Sequence, residues 1–296
     1  MPADSKGMSR RQMLQTSAVS LAAIGLSASN LAQAGARSAR EGENAMTQNT
    51  TSDKPTIVLV HGAFAESNSW DDVISKLRDA GYPVVGLANP LRGVKYDAAY
   101  LASFLKSVTG PVVLVGHSYG GMVISSAADP AKVKALVYVS AFAPEPGESA
   151  ADLSGRFPGS TLGPTLAPPI PLGDGTNDLY IKQSEFRAQF CADIPEAQAA
   201  KMAVNQRPCT DLALNEKATG NSAWKVIPSW FIFGELDRNI PVASHRFMAQ
   251  RAKAREAVEI KGGSHVVGIS SADTTANLIL RAAAAASAAP RASATT

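Results

Sequence analysis

From Thr56 onward, short apolar runs alternate with amphipathic stretches. Ile57-Val58-Leu59-Val60 is an unbroken apolar run, mostly β-branched, as expected of a strand buried on both faces. Between residues 69 and 80 the period changes. Trp70, Val73, Ile74 and Leu77 recur at i, i+3, i+4 and i+7, which predicts a helix with one apolar face. Asp71 and Asp72 suit its positive N-terminal end, and Gly81 stops it. A second strand is predicted at residues 84–87. Tyr100, Leu101, Phe104, Leu105 and Val108 then give a second helix its apolar face. Strands follow at 112–115 and 135–139, with a helix from 119 to 128 between them. Two more strands, at 230–233 and 258–260, and a helix over 273–286 complete the pattern. This alternation predicts an α/β fold, a mostly parallel sheet covered by helices on both faces.

Residues 144–222 break the rhythm. Their first part carries Pro158, Pro164, Pro168, Pro169 and Pro171 with Gly159, Gly163, Gly173 and Gly175, which excludes a core strand or helix there. From 184 to 214 the pattern is helical. A long insertion in a compact domain reads as a cap over a functional site. The predicted core is therefore 54–143 together with 223–287. Residues 288–296, rich in Ala, Ser and Thr, read as a disordered tail.

The N-terminus has a different character. Ser9-Arg10-Arg11-Gln12 precedes a mildly apolar stretch, and Ala32-Gln33-Ala34 supplies a small-x-small pattern. Residues 1–34 thus resemble a twin-arginine-type export signal, followed by a flexible linker over 35–53. An exported protein, periplasmic or secreted, is expected. The apolar stretch is too short to span a bilayer and the leader has no cysteine for a lipid, so no stable membrane anchor is expected. The formal net charge is +3, and Lys6, Arg10 and Arg11 against Asp4 put most of it in the leader. With no basic run elsewhere, nucleic acid is not an expected partner. Export also bears on Cys191 and Cys209, the only two cysteines. In an oxidising compartment they are expected to pair, closing a loop of roughly 19 residues worth about 3 kcal/mol. No His, Cys, Asp and Glu set has ligand spacing, so neither a metal nor a cofactor is expected.

The chemistry sits at the ends of the predicted strands. Gly116-His117-Ser118-Tyr119-Gly120 has the G-x-S-x-G form, directly after one strand and directly before a helix. That turn lifts a serine hydroxyl above the sheet, and side chains at the flanking positions would collide, hence the glycines. His61-Gly62-Ala63-Phe64 follows the first strand. Its backbone can face the serine, with the N–H of Ala63 or Phe64, and that of Tyr119, as oxyanion donors. Phe64, Tyr119 and Phe142 adjoin these loops and are candidate substrate contacts. Among four histidines, His265 lies in a polar loop just after the last strand and is the expected general base. His61 reads as a brace for its loop, His117 as pointing away from the tight turn, and His245 as an exposed or half-buried helix residue. Asp237, in the loop after the strand at 230–233, is the expected orienter of His265, with Glu235 the rival. The order Ser118, Asp237, His265 defines a triad.

These residues resemble the α/β-hydrolase superfamily from Thr56 to about Leu280. The His-Gly-Ala-Phe motif, the elbow and Ser140-Ala141-Phe142-Ala143-Pro144 resemble small bacterial esterases, similar to the plant methylesterase and hydroxynitrile lyase branch. The resemblance implies hydrolysis of a small-molecule ester through an acyl-enzyme, without a cofactor, and a cap inserted after the strand ending near Val139. The chain departs from that branch in a longer, proline-rich cap. It also lacks a counterpart to the lysine and the oxyanion-loop threonine used by the lyases. The alternatives are a lyase of the hydroxynitrile type and a non-catalytic ligand-binding member.

Overall fold

The computed structural model describes residues 54–288. The expected signal, linker and most of the tail lie outside the described residues. In chain order the first half comprises β1 (Thr56–Val60), α1 (Asp71–Asp79), β2 (Val84–Leu87), α2 (Val94–Ser107), β3 (Val112–His117), α3 (Gly120–Ala127) and β4 (Val133–Val139). The insertion holds α4 (Ala150–Gly155), α5 (Leu162–Thr165), β5 (Ile170–Pro171), β6 (Asn177–Leu179), α6 (Gln183–Phe190), α7 (Glu196–Asn205), β7 (Cys209–Thr210) and α8 (Asp211–Asn215). The core resumes with β8 (Ser229–Gly234), α9 (Val242–Arg251), β9 (Glu256–Ile260), α10 (Val267–Ser270) and α11 (Ala272–Ala288).

Six strands form one sheet in the order β2-β1-β3-β4-β8-β9, and every pairing is parallel. The unbroken apolar runs follow from this. Successive side chains of a strand point to opposite faces. Val58, Val60, Val112, Leu114, Leu136 and Tyr138 enter the core shared with α2, α3 and the insertion. Ile57, Leu59, Val113, Val115, Ala135 and Val137 enter a second core, which holds Val73 and Leu77 of α1 and Leu278, Ile279 and Ala282 of α11. The middle of each inner strand is therefore apolar on both faces, and polar residues such as Thr56, Lys134 and Ser229 fall at or near the strand starts.

The insertion is more structured than its composition suggests. Three very short strands pair antiparallel in the order β5-β6-β7. Side chains and backbone fasten this segment to the core loops. Arg92 Nη1 donates to Asp178 Oδ1 at 2.7 Å, and Arg207 makes a two-pronged pair with Glu66 at 2.9 and 3.0 Å. Ser264 N donates to Asp193 Oδ2 at 3.0 Å.

The expected disulfide does not form. Cys191 ends α6 and Cys209 lies on β7, and both are buried free thiols. Each is packed as a small apolar side chain in the main core. Burial pushes the Cys191 thiol up to about 12 and raises that of Cys209 further, so both stay protonated and unreactive at neutral pH.

Candidate active site

In a parallel sheet the loops leaving the carboxyl ends of the strands gather at one edge. Here that edge collects the loops after β1, β3, β4, β8 and β9. Ser118 follows β3 with φ of 51°, a left-handed conformation that a serine adopts only under local constraint. Its surroundings leave no room for side chains on the neighbouring turn. A Cβ on Gly116 would stand 2.7 Å from Gly120 O, and one on Gly62 would stand 2.6 Å from the Ser118 Cβ. One on Gly121 would overlap the Phe142 carbonyl oxygen. The glycines at 116 and 120 follow from the motif. The need at 121 emerges only once the loop after β4 packs against α3, where Phe142 N donates to Ser118 O at 3.2 Å.

Asp237 and His265 meet as expected. His265 Nδ1 lies 2.7 Å from Asp237 Oδ2, and both side chains are buried. The other carboxylate oxygen, Oδ1, accepts the backbone N–H of Asn239 at 2.8 Å and of Ile240 at 2.9 Å. Burial disfavours the Asp237 charge. The His265 ring and the N–H donors of His245 and His265 outweigh that penalty and hold the carboxyl well below the usual range. With Asp237 ionised, His265 carries its proton on Nδ1 and presents Nε2 as an acceptor. That Nε2 is buried and has no hydrogen-bond partner among the described residues. Ser118 and His265 both line one cavity of about 410 Å³. The rival Glu235 is exposed, and its Oε2 accepts the N–H of Gly262 at 2.9 Å, away from this pair.

The oxyanion loop resolves between its two candidate donors. The N–H of Phe64 donates to Arg207 O at 3.1 Å, so the expectation of Phe64 as a donor does not hold. The insertion has turned that N–H away. Among the described residues the N–H groups of Ala63 and Tyr119 make no hydrogen bond. His61 braces the loop as expected. Its Nε2 accepts Asn89 N at 2.9 Å, its Nδ1 donates to Gly62 O at 3.0 Å, and Asn89 Nδ2 donates to His61 O at 3.0 Å.

Phe64, Tyr119 and Phe142 all line the cavity. The Tyr119 hydroxyl is not available to a ligand, since it donates to buried Asp97 at 2.8 Å. The insertion supplies much of the remaining wall, including Ala150, Ser154, Leu162, Leu166, Leu179 and Phe190. Ser154 and Ser160 turn their hydroxyls to the Asn239 carbonyl. Among the described residues no Asp, Glu, Lys or Arg lines this cavity.

Two histidines behave differently from expectation or add to it. His117 packs its ring 4.8 Å from that of His265, and its Nε2 donates to His265 O at 3.1 Å. It thus supports the His265 loop. His245, expected to be exposed or half-buried, is fully buried, with Nε2 3.0 Å from Asp237 Oδ2. It is buried because α9 turns the face holding Ser244, His245, Met248 and Ala249 inward. That i, i+1, i+4, i+5 spacing was the signal that would have placed His245 inside.

These buried histidines make the fold sensitive to acid. Burial lowers His117 from 6.5 to about 3 and also lowers His61 and His245. The unfolded chain therefore takes up protons near pH 6.5 that the folded rings refuse, His117 until about pH 3. More protons on the unfolded state means stability rises with pH across that window. Stability present above pH 6.5 is expected to fall steadily towards pH 3, read as a decreasing urea midpoint. A midpoint unchanged across that window would contradict the assignment of these rings as neutral.

Comparison with known proteins agrees with this geometry. An α-hydroxynitrile lyase of Arabidopsis thaliana is 28% identical, over 73% of this chain and 92% of its own length. Methylesterase 9 of the same plant is 26% identical over 71% of this chain and 90% of its own. A carbendazim-hydrolysing esterase of Nocardioides is 39% identical over a shorter match, 31% of this chain and 44% of its own. The solved structure of polyneuridine aldehyde esterase superposes with a TM-score of 0.66 at 20% identity, covering 77% of this chain and 98% of that one. A pyrethroid hydrolase of Sphingobium faniae superposes at 0.61 and 21% identity, covering 78% and 97%. Residues 57–278 match the model of the alpha/beta hydrolase family, and the chain belongs to that family.

Proposed function

We propose that this hydrolase cleaves carboxylic esters, and that its substrates are neutral and largely apolar. The observation that carries the reading is the pairing of His265 with Asp237 beside Ser118 in a cavity of about 410 Å³ to whose wall, among the described residues, no carboxylate or cation contributes. That volume suits a small organic molecule. His265 Nε2 takes the Ser118 proton as Oγ attacks the ester carbonyl. The N–H groups of Ala63 and Tyr119 stabilise the oxyanion. The proton passes to the departing alkoxide, leaving an acyl-serine. Water, activated by the same imidazole, then releases the acid and restores Ser118. Each oxyanion donor is worth on the order of 3 kcal/mol.

The uncharged wall also sets the specificity. A carboxylate on the acyl chain would lose its water and meet no cation, a penalty of several kcal/mol. Folded protein is expected to release nitrophenol from p-nitrophenyl butyrate. It should process the p-nitrophenyl half-ester of succinic acid at least ~100-fold less well in kcat/KM. Equal rates on both would overturn the neutral-substrate reading. Absence of turnover by folded protein on neutral esters would overturn ester hydrolysis. The lyase alternative predicts instead that mandelonitrile is split to benzaldehyde while esters are left intact.

The paired Arg10 and Arg11 and the Ala32-Gln33-Ala34 site support placing this activity outside the cytoplasm. Cell fractionation tests that placement, which a wholly cytoplasmic full-length chain would contradict.

A further inference from the structure

Asp237 Oδ2 accepts from two imidazoles. His265 Nδ1 reaches it at 2.7 Å and His245 Nε2 at 3.0 Å. A carboxylate can only accept, so the proton of His245 must sit on Nε2. Its Nδ1 is buried and meets no partner, and the ring stacks on Phe233 with centroids 4.9 Å apart. His245 is therefore a neutral, immobile donor. Packing alone does not explain it. An apolar side chain against Phe233 would avoid an unsatisfied buried nitrogen. Among the described residues, the one hydrogen bond that the His245 ring makes is with Asp237.

We propose that His245 is a positioning residue for the triad: a fixed N–H donor that pins Asp237 Oδ2 and draws part of its negative charge away from His265. The proposal rests on the hydrolase reading above. The backbone N–H groups of Asn239 and Ile240 hold Oδ1, but on Oδ2 a single imidazole would leave that oxygen without a donor whenever His265 moves to hand over its proton. A second donor on the same oxygen holds it in place. The shared charge also stabilises the protonated base less, so the base becomes free at lower pH than it would beside an unshared carboxylate.

Other ionisable groups face this cluster. Glu259 of β9 approaches His245 but is paired outward with Arg246 of α9. His117 of β3 lies against His265, and Asp193 binds Ser264 beside it. None of these is hydrogen-bonded to Asp237, and all are left unchanged by a substitution at 245.

The test is the rate at which a fluorophosphonate labels Ser118, followed through the acid limb for wild type, His245→Leu and His245→Gln. The leucine keeps apolar bulk and removes the donor; the glutamine keeps an N–H near the same point. In His245→Leu the acid limb is expected to move to higher pH by about half a unit to one unit, with the plateau about tenfold lower. In His245→Gln the limb should stay at the wild-type position. An unshifted limb in folded His245→Leu overturns the proposal, whatever happens to the plateau. Histidine-selective 15N spectra of wild type need no variant. They should show His245 neutral and protonated on Nε2, and a proton on Nδ1 would overturn the proposal as well. A wild type that the probe does not label would overturn the hydrolase reading, a result distinct from an unshifted limb.

Discussion

Ser118→Ala is expected to lower ester turnover by at least ~10⁴-fold while leaving the fold intact. The substitution removes one hydroxyl from the elbow and keeps Cβ, so the constraints that hold φ at 51° remain. Gly121 N still donates to the carbonyl of residue 118 at 3.0 Å. What disappears is the atom that attacks. The surviving cavity and the Ala63 and Tyr119 N–H groups would still bind ester, so KM should change far less than kcat. A variant that keeps a tenth of wild-type turnover would place the nucleophile elsewhere. One that binds ligand as well as wild type does, where wild type itself never turns over, would favour the non-catalytic alternative.

Asp237→Asn is expected to cost about 10⁴-fold in kcat. The reason is specific to this carboxylate. Oδ1 accepts two backbone N–H groups, from Asn239 and Ile240, so the amide oxygen of an asparagine is fixed on that side. Its NH₂ then points at His245 Nε2 and His265 Nδ1, where wild type has an acceptor for both. Both rings must change tautomer. His265 would move its proton to Nε2 and lose the lone pair that receives the Ser118 proton. His245 would carry its proton on Nδ1, where it meets no acceptor. The variant should therefore lose stability as well as activity. An Asp237→Asn enzyme within tenfold of wild type would remove Asp237 from the mechanism.

Much of this site was legible in the sequence because its parts are local. A strand covered on both faces carries a continuous apolar run, 57–60 in β1 and 112–115 in β3, so both stand out, and the residues that follow those runs carry the oxyanion and nucleophile motifs. Glycine at 116 is dictated by a turn of a few residues, and the motif also marks 120, although there a Cβ would be barred by the Val60 carbonyl oxygen of β1. The edge strand β9 reads less clearly because it is half exposed, and only its last three residues are recognisable. The strands of the insertion have two or three residues each, too short for any period to register. What the sequence could not carry depends on long-range packing. The Phe64 N–H is withdrawn from the oxyanion by Arg207, which is 143 positions away and reaches it only when the insertion folds back. The cysteines looked like a pair because of their compartment and spacing, but each went to a separate place in the apolar core. His245 reaches Asp237 because α9 packs its inward face against the β8 loop, a contact that helical spacing suggests but does not identify.

Catalysis by this site depends first on Ser118 being a nucleophile activated by His265. Peptide mapping by mass spectrometry after exposure to a fluorophosphonate tests it most directly. One adduct is expected, on the peptide containing Ser118, absent from Ser118→Ala and formed at least ~10³-fold more slowly in His265→Ala. An adduct on another residue, or equal labelling of folded wild type and His265→Ala, would contradict it.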